Sequence, residues 1–196
     1  MSDTLSASDL PELWQQANDL QAQAHQQYPQ MRCLSGCNDC CKHHGSPLMY
    51  PLEWDAIQSH LQGHPELLAA ATERYYQLKQ DLQTRLQDLS PPTIMEALFE
   101  SACPFIEAHG TGERCSIYAV RPMTCRAFGN ALLESQPVSS EQIYTCNPEK
   151  DRWEQDLPML KELALPLRSQ FFSELEKSGQ RQSLLRFLER YLHESS

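Results

Sequence analysis

The sequence predicts a mainly α-helical protein with one small inserted β-hairpin and cysteine-rich loops between its helices. Three observations carry this expectation. Apolar residues recur at helical spacing in four separate stretches. One short segment, residues 103–118, sets β-branched and aromatic residues on either side of the glycine-rich turn HGTGE, which reads as a hairpin. All eight cysteines, at 33, 37, 40, 41, 103, 115, 125 and 146, fall outside the helical stripes.

The elements follow in order. Asp9 is placed to cap a first helix, with Pro11 in its opening turn and Glu12 as in a capping box. Leu10, Leu13, Trp14, Ala17, Leu20, Ala24 and Tyr28 form its apolar face, and Pro29 ends it. Residues 31–51 are a loop punctuated by glycine and proline. Leu52 to about Leu61 reads as a short helix closed by Gly63. Pro65 then opens a long one with a stripe of Leu67, Ala71, Tyr75, Leu78, Leu82 and Leu86. Residues 93–101 suggest one more short helix. After the hairpin, RPMTCRAFGN reads as a single helical turn and residues 131–149 as mostly loop. Leu160, Leu163, Leu167, Phe171 and Leu175 form a stripe interrupted by prolines. Ser178-Gly179 precedes a last helix carrying Leu184, Leu185, Leu188, Tyr191 and Leu192. By this reading residues 1–30 are an N-terminal helix and 31–149 a cysteine-cluster domain that includes the long helix. Residues 150–196 are a helical segment packed on the same domain.

Composition narrows the functional classes. The 196 residues, 40% hydrophobic and 21% charged, are those of an ordinary globular chain. A formal net charge of −10 argues against a non-specific grip on nucleic acid or an anionic membrane surface. No apolar run approaches the ~20 residues of a membrane helix. The first residues lack a basic and then apolar signal pattern, so a cytoplasmic location is expected. Disulfides are rare there, and metal binding becomes the leading reason for eight cysteines.

Cys33, Cys37 and Cys40 are spaced C-x3-C-x2-C, and Cys41 follows directly. That spacing occurs around clusters that cleave S-adenosylmethionine. Such an enzyme also needs repeated βα units, which this helical chain does not offer. Thiolates are the ligands that zinc and iron–sulfur clusters prefer. Cys40 and Cys41, being neighbours, are expected to point apart and to serve two centres, or one centre and its surroundings.

C-x3-C-x2-C-C, then CPFIE, then CSIYAVRPMTCRAFGN, resemble the YkgJ-type cysteine-cluster family, a zinc- or iron-chelating domain of the CxxCxxCC type. The motifs cover residues 33–146. One extra residue separates Cys33 from Cys37 relative to the usual C-x2-C. The resemblance implies metal binding by all eight cysteines, Cys33, Cys37, Cys40, Cys41, Cys103, Cys115, Cys125 and Cys146. It implies no particular reaction.

Arg121 and Arg126 flank Cys115 and Cys125 and are candidates to offset the negative charge of a thiolate centre. Arg114 reads as a surface residue, as do His43, His44, His109, Glu107 and Glu113, although the histidines and glutamates have ligand chemistry. Tyr118 reads either as a cover over the metal or as a core aromatic. Trp14, Trp54, Trp153, Tyr75, Phe171 and Phe172 are assigned to the core.

The functional expectation is an iron–sulfur protein with a redox or oxidoreductase-type role and a redox or protein partner. The alternative is a structural zinc-binding adaptor without catalysis. A weaker alternative is a metal-dependent, methylase-like modification enzyme. Iron–sulfur cluster and Zn2+ stand nearly level as cofactors.

Overall fold

A computed structural model describes residues 5–29, 38–43, 45–86, 97–98, 101–109, 112–129, 131–133, 143–145, 150–151, 154–155 and 165–194. Seven α-helices lie among them: α1 (Leu10–Gln27), α2 (Asp39–His43), α3 (Pro51–Gln62), α4 (Pro65–Arg85), α5 (Met123–Ala127), α6 (Arg168–Phe172) and α7 (Leu184–Glu194). Four short strands make two antiparallel pairs. β1 (Leu48–Met49) pairs with β4 (Gln182–Ser183), and β2 (Ile106–His109) pairs with β3 (Gly112–Cys115). The protein is mainly α, as the periodicity predicts. Among the described residues no helix is long and apolar enough to cross a membrane.

The chain divides into two compact units, one of Met1–Ser35 with Pro122–Gly179 and the other of Gly36–Arg121 with Gln180–Ser196. In the second unit, α3 and α4 both begin on proline, whose fixed φ suits the first helical position. The Tyr50 amide donates to the buried Glu53 carboxylate at 3.0 Å, satisfying one N-terminal donor of α3. One face of each helix is apolar, and together they bury Trp54, Ile57, Leu61, Ala71 and Tyr75. Leu184, Leu185, Phe187 and Leu188 of α7 complete this core with Met49, Phe105 and Ile117. Trp54 stacks on Phe187 at 5.8 Å and meets Tyr191 edge-on.

The β1–β4 pairing, Leu48 opposite Ser183 and Met49 opposite Gln182, was invisible in the sequence, because two residues carry no period. The Leu184 amide extends it by donating to the Pro47 carbonyl at 2.9 Å, and the Leu185 amide donates to the Ser46 hydroxyl at 3.1 Å. These bonds set the first turn of α7 on the loop that follows the first cysteine cluster.

In the first unit, α1 carries Leu10, Trp14, Ala17 and Ala24 on its buried side. Its start differs from expectation. Asp9 does not cap α1 through its side chain and Glu12 is not the partner in a capping box. A 3-10 turn (Ala7–Asp9) precedes the helix, and Asp9 reaches back to Ser6, accepting from its amide at 2.8 Å and its hydroxyl at 2.7 Å. The acid thus serves as the third residue of a turn that begins one step earlier.

Leu132 bridges both Ile143 and Leu167, giving a second small core with Ala24 and Leu165. Gly129 follows α5 at φ 81°, the left-handed conformation that ends helices and disfavours a Cβ. The 167–175 stripe is split between α6 and a 3-10 turn (Leu175–Ser178), which Gly179 ends at φ 130°. Of the helix expected over 93–101, Ala97 and Leu98 are helical and the rest lies mainly outside the described residues. Leu160, Leu163 and Trp153 also lie outside them.

Candidate metal centre

Four cysteines come together within one unit from three places in the chain. Cys40 and Cys41 lie on α2, Cys103 precedes the hairpin, and Cys115 ends β3. The Cys103 amide donates to the Cys41 carbonyl at 2.9 Å, which ties the hairpin approach to α2. Phe105 then anchors the far side, its carbonyl accepting from the Ser116 amide at 2.8 Å and the Ser116 hydroxyl at 3.1 Å. Register puts Cys115 opposite Ile106. Cys103 is buried in the apolar core, and Cys41 and Cys115 pack against that core partly exposed.

The Cys40 and Cys41 sulfurs lie 3.9 Å apart. The sequence expectation for neighbours, that they point apart, does not describe them. The pair sits in one turn of helix, where the Asn38 carbonyl accepts from the Cys41 and Lys42 amides. Two thiolates on one tetrahedral zinc, with bonds of about 2.3 Å, stand about 3.8 Å apart.

The thiols raise one another's pKa values. The hydrogen bond to Cys41, then burial and the Cys41 charge, push the Cys40 thiol up. Burial pushes Cys103 up to about 12, opposed in part by the Phe105 amide. Burial also raises Cys115, opposed by the Ile117 amide and the Arg121 guanidinium. Cys40 lies within electrostatic reach of both Cys103 and Cys115. Such a group resists negative charge unless a cation joins it, and a bound metal deprotonates its thiols outright.

Three residues clamp α2 onto the hairpin. The Asn38 side chain donates to Glu113 at 2.6 Å, and Lys42 forms an ion pair with the same carboxylate. The Lys42 ammonium, then Asn38, hold the Glu113 carboxyl below its usual range. Arg74, from α4, donates to the Pro104 carbonyl at 2.8 Å beside Cys103. Sequence reasoning missed Asn38, Lys42 and Arg74. Asn38 sits where a short polar side chain caps a turn, directly ahead of the cysteine pair, and that was the available signal. Arg74 has none, since it lies on the polar side of a helix. A cleft of about 370 Å³, lined by Lys42, Arg74, Cys103, Pro104 and Glu113 among others, reaches the buried thiol.

Arg121 is buried, its guanidinium 3.7 Å from the Tyr118 ring centroid and in electrostatic range of Cys115. Tyr118 itself is 63% exposed, so it is neither a core aromatic nor a sealed cover. One face of its ring is the platform on which Arg121 rests. Glu107 pairs with Arg114 across the hairpin at 2.8 Å.

Cys125 and Arg126 belong to the other unit, on α5. Arg126 donates to Asn18 at 2.9 Å and lies 4.8 Å from the Trp14 ring centroid, both on α1. The Cys125 amide bonds the Pro122 carbonyl at 2.9 Å. Cys33, Cys37, Cys146 and His44 lie outside the described residues, as do the side chains of His43 and His109.

Among the described residues no three His, Cys, Asp or Glu side chains stand at metal-ligand spacing. The donor chemistry nonetheless fits zinc or iron: four thiols, one of them buried, and a sulfur pair near the tetrahedral separation. A family model described as "CxxCxxCC: putative zinc- or iron-chelating domain" matches residues 32–150. No curated relative and no solved structure matches the chain.

Proposed function

The chain belongs to the CxxCxxCC family of zinc- or iron-chelating domains, and from that premise we propose that Cys40, Cys41, Cys103 and Cys115 hold its metal. The 3.9 Å separation of the Cys40 and Cys41 sulfurs carries the reading. It is the distance two ligands of one tetrahedral ion require, in a place where two further thiols converge. Motif membership extends the candidate ligands to Cys33, Cys37, Cys125 and Cys146.

The chain's own residues divide the work. Asn38 and Lys42 hold α2 against Glu113, so the thiol pair keeps its aim. The core around Cys103 removes most of its surface from water. Arg121 offsets negative charge at Cys115. A bound zinc would supply a cross-link between α2 and the hairpin; a cluster would supply one-electron chemistry. The sulfur pair supports the zinc staple, whose role would be to shape a surface for a protein partner. The iron–sulfur reading, with a redox role, is favoured by the buried guanidinium beside Cys115, since such charge tunes a cluster's potential.

Metal and acid-labile sulfide are to be measured, with a visible spectrum, on protein purified without oxygen. Zinc without sulfide supports the staple, and iron with matching sulfide the redox centre. Cys40→Ser and Cys115→Ser should each lose most of the metal. Unchanged metal in both variants, or none in the parent protein, overturns the assignment.

A further inference from the structure

On the side of the hairpin that faces α3 and α4, the corner between these two helices brings two imidazoles together. His60 lies in the last turn of α3 and His64 immediately precedes α4. Their ring centroids are 4.3 Å apart, with planes tilted by 30°. His64 Nδ1 is 2.9 Å from the His60 carbonyl oxygen. A carbonyl can only accept, so Nδ1 carries the hydrogen and donates it. In the neutral ring Nε2 then keeps its lone pair. Metal-binding histidines are commonly fixed in this way, one ring nitrogen donating to a backbone carbonyl and the other facing the ion.

We propose that His60 and His64 form a second site for a first-row divalent cation such as zinc, opening on the cleft that Cys115 lines. The cleft holds about 410 Å³, and its walls include His60, His64, Glu66, Glu107 and Cys115. Paired imidazoles select zinc, nickel or copper over magnesium and calcium. Burial and the neighbouring His64 favour the neutral, ligating form of His60, opposed by Glu66. Glu107 is engaged by Arg114, which leaves Glu66 as the nearer source of negative charge. Capping alone explains the His64 bond to the carbonyl, but it requires no ring from His60. Two protein ligands leave the remaining positions to water, so the ion is held more weakly than by thiolates and exchanges. A loading role toward the cysteine centre rests on Cys115 being a ligand there; the histidine site does not.

The test uses the full chain loaded with its resident metal, cleared of excess, its metal counted, and then titrated calorimetrically with zinc chloride. One additional, exchangeable zinc is expected. His60→Ala and His64→Ala should each weaken it by at least about tenfold. His193→Ala, an exposed histidine on α7, should leave it unchanged. His64→Ala also removes the bond to the carbonyl, so His60→Ala, which leaves that carbonyl in place, decides. No additional zinc in the parent chain, or equal affinity in His60→Ala, overturns the site. Failure of the thiolate assignment registers separately, in the metal count before titration.

Discussion

Cys103 belongs to two structures at once. It is a member of the apolar core with Phe105 and Leu98, and it is one of four converging thiols. Its motif neighbour Pro104 marked it in the sequence, yet nothing there revealed its burial. Asp9 shows the reverse case, where the residue was singled out correctly and its partner was not. It accepts from the Ser6 hydroxyl and amide, and these bonds lower its pKa from the ordinary 3.8. A depressed carboxylate stabilises the fold above its unfolded pKa, and that contribution is lost as pH falls through the lower folded value. Asp9→Asn should therefore reduce thermal stability near neutrality and flatten its loss as pH falls below about 4. Thermal unfolding of both proteins across that range checks this; parallel curves would remove Asp9 from the account.

At the level of elements, the long periodic helices were legible and the short pieces were not. α1, α3, α4 and α7 each repeat an apolar residue over several turns, so chance patterns are outvoted. The hairpin was legible because its turn residues have their own chemistry. The 3-10 turn before α1 and the pairing of β1 with β4 have neither period nor signature. The same contrast governs stability. α2 has five residues, far below the ~12 at which an isolated helix becomes marginal. It depends on Asn38, Lys42 and the thiols. α3, α4 and α7 rest on a shared apolar core in which, among the described residues, Cys103 is the only buried cysteine. Removing metal with a chelator should thus leave most of the helical circular dichroism. Amide exchange should quicken in α2 and at the hairpin base. Collapse of the whole signal would mean that the helices need the metal too.

For the whole molecule, the ordering of the cysteines along the chain suggested metal chemistry, and the family match agrees at that level. What the linear sequence concealed is that Gly36–Arg121 completes its unit with Gln180–Ser196, after Pro122–Gly179 has gone to the other. A protein stopped after Gly179 would lack β4 and α7, exposing Met49, Trp54 and Ile57. It should show a broad, weakly cooperative thermal transition, whereas a sharp one at the parent's midpoint would contradict the shared core.

That arrangement also fixes an order in time. A ribosome makes about 5–20 residues per second, and 58 residues separate Arg121 from Gln180. For roughly 3–12 s, then, the nascent chain carries its cysteine pair and hairpin without the strand and helix that will pack beside them. Capture of an ion in that interval would precede completion of the core, making the cell's metal supply during synthesis, rather than afterwards, the quantity that decides how much protein matures.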